Sequence, residues 1–379
     1  MKKILSTAGV AIVATALVTL GVVSPASAAV SIVAPIATVG AADDDYYGMG
    51  AAVSNDGSLA AAAIEYAGVT IYNVATDTQV DITNSDLGST DIVGVTFSPD
   101  NSFLYVADYD NSAVIVLDLS DNSIDRTISV SFRPGALEAS RDGAFLFVRA
   151  YFSGDLVKVD LSNDSQTAAA SGGTYTASMC LSADGATLYV PYYDDAIGVY
   201  DTSDMSVTPV TISGTDGDSE LYSCELDNDG NLIVGDYGNS LVFKVTPAGV
   251  ASASDAIDAY VYSAIPSCDT IYVADETNEA NVPVLDLTTL DIGDPLTVAE
   301  SSGGSGFYGY NGDRSLDGSV IAISGEYATD GLILIKSPEC GSASALPDTG
   351  VDTVTPIAAG LGMLVVGAIA IVAIRRRKA

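Results

Sequence analysis

Histidine and tryptophan are absent from this chain, and basic residues are scarce: 14 Lys and Arg stand against 49 Asp and Glu. Without histidine there is no Ser-His-Asp or Cys-His arrangement, no imidazole general base and no imidazole ligand for a transition metal. The formal charge of −35 understates the acidity of the centre, because Lys2, Lys3, Arg375, Arg376, Arg377 and Lys378 lie at the two ends. Residues 30 to 349 carry 8 basic and 48 acidic side chains, about −40. A surface of that charge repels phosphate backbones and anionic lipid, so nucleic acid and membrane surfaces are excluded as partners and cations are favoured. Hydrophobic residues make up 48% and charged residues only 17%, which fits a filled core and not a disordered chain.

What is present is a repeat. Three apolar β-rich runs, Ile92–Phe97, Phe103–Ala107 and Ala113–Leu119, are separated by the turn formers Ser98-Pro99-Asp100-Asn101 and Asp108 to Ser112; a more polar run, Asp125–Val130, follows. Together they predict a four-stranded antiparallel meander, which cannot bury both faces of its sheet alone and so must recur. It does, through first turns at Ser54–Gly57, Ser98–Asn101, Ser140–Gly143, Ser182–Gly185, Asp227–Gly230, Ser315–Gly318 and a degenerate Pro266–Asp269. Asp56, Asp100, Asp142, Asp184 and Asp229 are spaced by 44, 42, 42 and 45 residues, and are assigned a structural role in those turns. Seven such units predict an all-β, seven-bladed β-propeller over residues 29–338. The last unit shows three strands, and Val30–Val39 reads as a strand with no unit of its own. The N-terminal strand is therefore expected to close the seventh blade as its outermost strand.

Tyr105-Val106-Ala107-Asp108-Tyr109-Asp110-Asn111-Ser112, followed by Leu117-Asp118-Leu119, resembles the YVTN repeat of bacterial surface β-propellers. Val234 to Ser240 and Tyr272 to Asp275, leading to Leu285-Asp286-Leu287, match it again. The absence of tryptophan argues against the sialidase type, whose Asp-box turns carry one.

The ends carry addresses. Residues 1–28 read as a secretory signal: two lysines, an apolar core, then Ala26-Ser27-Ala28 at the cleavage position. After a short linker, 339–345, come Leu346-Pro347-Asp348-Thr349-Gly350, a predicted spanning helix over 354–374 and a basic tail over 375–379. This arrangement resembles the sorting signal of Gram-positive surface proteins. It implies a transient sortase partner, cleavage between Thr349 and Gly350, and covalent attachment of Thr349 to peptidoglycan at the cell wall. Export permits disulfides, and four cysteines allow three pairings. Strand alternation favours Cys180 with Cys224 and Cys268 with Cys340, the alternative being buried free thiols; no C-x-x-C spacing points to metal or redox chemistry.

The loops joining strands two and three should share one face with the connections between blades. That face collects Asp108, Tyr109, Asp110, Tyr192, Tyr193, Asp194, Asp195, Asp236, Tyr237 and Asp275. Asp108, Asp236 and Asp275 occupy equivalent places at the end of the second strand, where they either cap the turn or supply hard oxygen ligands to Ca²⁺. Tyr109, Tyr192 and Tyr193 are candidates for stacking on sugar rings or peptides. The expected function is a non-enzymatic binding or adhesion module taking a glycan or protein ligand, with no cofactor beyond a candidate Ca²⁺. The alternatives are a metal-dependent propeller lactonase or hydrolase using those aspartates, which the YVTN resemblance implies, and a structural wall component.

Overall fold

A computed structural model of the chain describes residues 30–36, 38–39, 48–169, 173, 178–212, 215, 219–247, 249–275, 281–298, 308–326 and 331–337. The signal segment 1–28, the sorting motif 346–350, the spanning segment 354–374, the tail 375–379 and Cys340 lie outside these residues. Among the described residues no helix is long and apolar enough to cross a membrane.

Strand alternation sets the architecture. In the second strand of blade 2, Phe103–Asp108, the side chains of Leu104 and Val106 pack against blade 1, whereas Tyr105 and Ala107 pack against blade 3. Both faces of the sheet are apolar, so each blade needs two neighbours. The described core accordingly divides into seven buried clusters, each drawn from two adjacent blades, and the seventh joins the last blade to the first. Blades 1 to 5 are four-stranded meanders in chain order, first strand innermost. Among the described residues only one short helix, Asn84–Leu87, interrupts the β-structure, capped by Thr83 in the link between blades 1 and 2.

Closure runs as the sequence predicts. Ser31–Ile36 pairs antiparallel with Leu332–Lys336, placing Val33 opposite Leu334, and completes a sheet whose inner strands are Val320–Glu326 and Tyr308–Arg314. Beyond that pairing, Val53 N donates to Asp313 Oδ2 at 2.7 Å and Leu316 N to Asn55 O at 3.1 Å, binding blade 7 to blade 1. The seventh innermost strand is Tyr308–Arg314. Blade 6 departs from the meander: Pro283 has no N–H to donate, and the third strand is split there into Asn281–Val282, paired with Leu296–Thr297, and Val284–Asp286.

The first turns share one chemistry. In blade 1 the Ser54 hydroxyl donates to Asp56 Oδ1 at 2.8 Å and accepts from Leu59 N, while Asp56 Oδ1 also accepts from Ser58 N and Gly57 takes φ 68. Blades 2, 3, 4 and 7 repeat this through Asp100, Asp142, Asp184 and Asp317. Blade 5 corrects the alignment: Asp227 stands where the serine does elsewhere, and its Oδ1 accepts from both Asp229 N and Asn231 N. The accepting carboxylate there is Asp227 and not Asp229.

Cys180 and Cys224 form a disulfide between the innermost strands of blades 4 and 5, with Cα atoms 5.8 Å apart. Cys268 is also disulfide-bonded; its expected partner, Cys340, lies outside the described residues.

Two stability predictions follow from closure. Leu334→Ala, in the fully buried seam between blades 7 and 1, is expected to cost about 2–5 kcal/mol in denaturant unfolding. Replacing Cys180 and Cys224 by Ser should cost roughly 2–4 kcal/mol in the same assay.

Candidate functional site

The innermost strands line a central channel, and a register defect recurs where they enter it. Pairing skips one residue between Gly48 and Gly50, Ile92 and Gly94, Pro134 and Ala136, Leu221 and Ser223, Val261 and Ser263, and Gly309 and Asn311. Such β-bulges re-aim the unpaired side chain. The six residues so released are Met49, Val93, Gly135, Tyr222, Tyr262 and Tyr310. All but Tyr262 line a single cavity of about 90 Å³, shared with Tyr151 and, three residues along the strands from Gly135, Tyr222 and Tyr310, with Glu138, Glu225 and Asp313.

The channel is asymmetric. On the side of blades 2 and 3 the backbones nearly touch: a Cβ on Gly94 would lie 2.2 Å from the carbonyl oxygen of Gly135. Across from it, tyrosines fill the mouth. Tyr262 stands edge-to-face on Tyr222 and Tyr310, with ring centroids 5.1 and 5.2 Å away. Tyr237 stacks on Tyr260 at 4.7 Å and meets Tyr262 at 5.0 Å, and Tyr193 meets Tyr222 at 6.0 Å. A second group joins Tyr109, Tyr151 and Phe152, with the Arg133 guanidinium 4.6 Å over the Tyr109 ring and donating to its hydroxyl at 3.0 Å. Tyr260 is 50% exposed and Phe152 61%.

Glu138, Glu225 and Asp313 occupy the same place, two residues before the first turn, in blades 3, 5 and 7. Burial inside the ring pushes the Glu138 carboxyl up to about 7, with Arg141 opposing at an Nη1–Oε1 distance of 3.8 Å. Burial likewise lifts Asp313 to about 6 against the lowering pull of donors Val53 N and Arg314 N. Glu225 is raised well above the ordinary carboxylate range by burial and then by the Asp313 charge. Arg141 and Arg314 are held at the turn end of the channel, donating to Leu181 O at 2.8 Å and to Pro266 O at 2.8 Å.

The expected rim residues have different fates. Asp108 is buried and accepts from the Ser89 hydroxyl at 2.7 Å, Asn111 N and Asn111 Nδ2; Asp236 is buried and accepts from Glu220 N, Asn239 N and Asn239 Nδ2. Both cap their turns. Asp275 is buried at the end of its strand, and the residues that follow it lie outside the description. Among the described residues no three Cys, Asp or Glu side chains converge to hold a metal ion. Asp110 is exposed and accepts from the Thr90 hydroxyl; Asp194 is exposed, and Asp195 takes φ 61 in the same tight turn. Tyr192 is not a stacking surface. It is 1% exposed, packed between blades 3 and 4 with its hydroxyl 2.7 Å from that of Tyr200.

The channel tyrosines and carboxylates are the residues that sequence reasoning missed. A signal for them exists: Tyr222 and Tyr310 each stand five residues before the start of the first turn and Tyr262 four before the degenerate one, while Glu138, Glu225 and Asp313 stand two before theirs.

No protein-family model matches the chain, and no curated protein matches it, so the likeness to the YVTN unit rests on the quoted residues. Among solved structures, a chain of hydrazine synthase from Kuenenia stuttgartiensis superposes with a TM-score of 0.62 over 76% of this chain and 95% of that one, at 15% identity. At that identity the similarity speaks to fold alone. The fold is a seven-bladed β-propeller of antiparallel blades.

The channel carboxylates predict a pH dependence of stability. Their folded-state values are raised, so their contribution is full below the unfolded values near 4 and is lost as pH rises through about 6 to 7. The turn aspartates act oppositely: Asp56, lowered to about 2, loses its contribution only as pH falls through that value. Thermal unfolding is expected to show greatest stability near pH 5 and a decline toward pH 8. Glu225→Gln should flatten that decline, and an unchanged slope would contradict the assignment.

Proposed function

We propose that the ring is a non-enzymatic binding module that presents the tyrosine-lined mouth of its channel to a ligand, in an exported protein anchored by sortase to a Gram-positive cell wall. The observation that carries the binding reading is the connected set of six rings, Tyr193, Tyr222, Tyr237, Tyr260, Tyr262 and Tyr310, on one face. Tyrosine offers a large rigid contact area with a polar tip at low entropic cost, and clustering of such rings at a concavity is how binding faces are built. Other surface aromatics need no such explanation when scattered singly. The anchoring reading rests on Leu346 to Gly350, the uncharged segment that follows and the basic tail.

Screening the protein on glycan and peptide arrays tests the binding reading. A specific ligand is expected, with binding weakened about tenfold or more by Tyr237→Ala and Tyr260→Ala, since truncating an interface hot-spot tyrosine costs roughly 2 kcal/mol or more. Ligands bound equally by both variants, or none at all, would count against it. Anchoring is tested by cell fractionation: Thr349→Ala should shift the protein from the peptidoglycan-linked to the membrane fraction.

A further inference from the structure

Charge constrains what can enter the channel before shape does. Three carboxylates from alternate blades look into the lumen, while the two arginines nearest to them are tied to backbone carbonyls at the far end. Of the three, only Glu138 is in ion-pair contact among the described residues, with Arg141 at 3.8 Å. Above this acidic floor stand the bulge tyrosines of three consecutive blades. Aromatic faces attract cations through their quadrupole, by about 0.5–2 kcal/mol per contact according to desolvation. A bare divalent ion does not fit, because Ca²⁺ takes six to eight oxygens in close contact and the described carboxylates do not converge to that degree. The site suits a bulky, weakly hydrated positive charge. A cavity of about 90 Å³ is several times the roughly 10–15 Å³ a single water needs, so it admits a small head group.

Building on the binding reading, we propose that the channel mouth receives an organic ammonium group, its charge facing the rings of Tyr222 and Tyr310 and the carboxylates of Glu138, Glu225 and Asp313. The group arrives either as a small free molecule or as the end of a lysine side chain on another protein; the chemistry of recognition is the same. Binding is coupled to protons. The groups facing the cation are Glu138 with Arg141 from blade 3, Glu225 from blade 5, and Asp313 with Arg314 from blade 7. An incoming positive charge favours the ionised carboxylates, so association releases protons and strengthens as pH rises.

The test is calorimetric titration of the full chain at fixed ionic strength with three probes: choline, its neutral isostere 3,3-dimethylbutan-1-ol, and a short peptide carrying trimethyl-lysine. We expect at least one ammonium probe to bind, at least tenfold more tightly than the isostere. We also expect about tenfold weakening from pH 8 to pH 5 and by Glu225→Gln or Tyr310→Ala at pH 8, with both variants checked for cooperative thermal unfolding. Binding of choline identifies a free small molecule as sufficient, and binding of the peptide alone identifies a protein side chain as the source. Failure of both ammonium probes, or equal binding of the isostere, overturns the proposal. If arrays then yield a neutral ligand lost in Tyr237→Ala, the binding reading stands without the ammonium group; if they yield nothing, both fall.

Discussion

The pairing of Ser31–Ile36 with Leu332–Lys336 is the contact on which the rest of the ring depends. Every blade is apolar on both faces, so an open row of seven would leave two sheets uncovered at its ends. The cluster between the last blade and the first removes both exposures together, with Leu332 and Leu334 from blade 7 against Ala60, Ala62 and Ile64 from blade 1 and Ile36 from the closing strand. Covering the outer edge of blade 7 also removes a row of unpaired backbone groups that would otherwise offer itself for pairing with another chain. A polypeptide whose blades touch only their neighbours becomes cooperative when the first and last blades touch.

Closure also makes the channel. Innermost strands brought to a common axis leave a lumen, and in the six blades where it is described one equivalent position carries a bulge. The bulge at that position converts a strand residue into a channel residue. In blades 1 to 3 it holds Met49, Val93 and Gly135, and the backbones of blades 2 and 3 crowd together at Gly94 and Gly135. In blades 5 to 7 it holds tyrosine every time. The same fold therefore carries a narrow, small-residue side and a broad aromatic side. The carboxyl groups three residues further along from Gly135, Tyr222 and Tyr310 lie below the rings, where their negative charge, once ionised, is poorly screened because solvent access is low.

Much of the ring was legible in the residues. Alternation of apolar side chains located the strands of blade 2 within a residue or two, the Ser-x-Asp-Gly turns counted the blades, and a surplus strand at the start matched a deficit at the end. The pairing of Cys180 with Cys224 followed from equivalent strands in adjacent blades. Four features were not legible, each for a physical reason. A bulge is a one-residue slip that the alternation pattern does not register, which hid Tyr222, Tyr262 and Tyr310 among ordinary strand residues. Tyr192 looked like a loop tyrosine, but its ring fills the gap between blades 3 and 4 beside Tyr200, a tertiary demand. Asp227 and Asp229 are both turn formers, and only the path of the backbone decides which one accepts. Asp108 and Asp236 stand at the ends of their strands as expected, yet whether a carboxylate caps its own turn or reaches outward depends on donors such as Ser89 and Glu220 N that lie far from it in the chain.

The most direct measurement of the central claim is site-resolved amide hydrogen exchange on the protein with and without residues 30–39. The account predicts that removing the strand strips protection first from Leu332–Lys336 and from the strands of blades 7 and 1, while blades 3 and 4 keep theirs longer, and that unfolding loses its single cooperative transition. Identical protection across all seven blades in the shortened chain would contradict it.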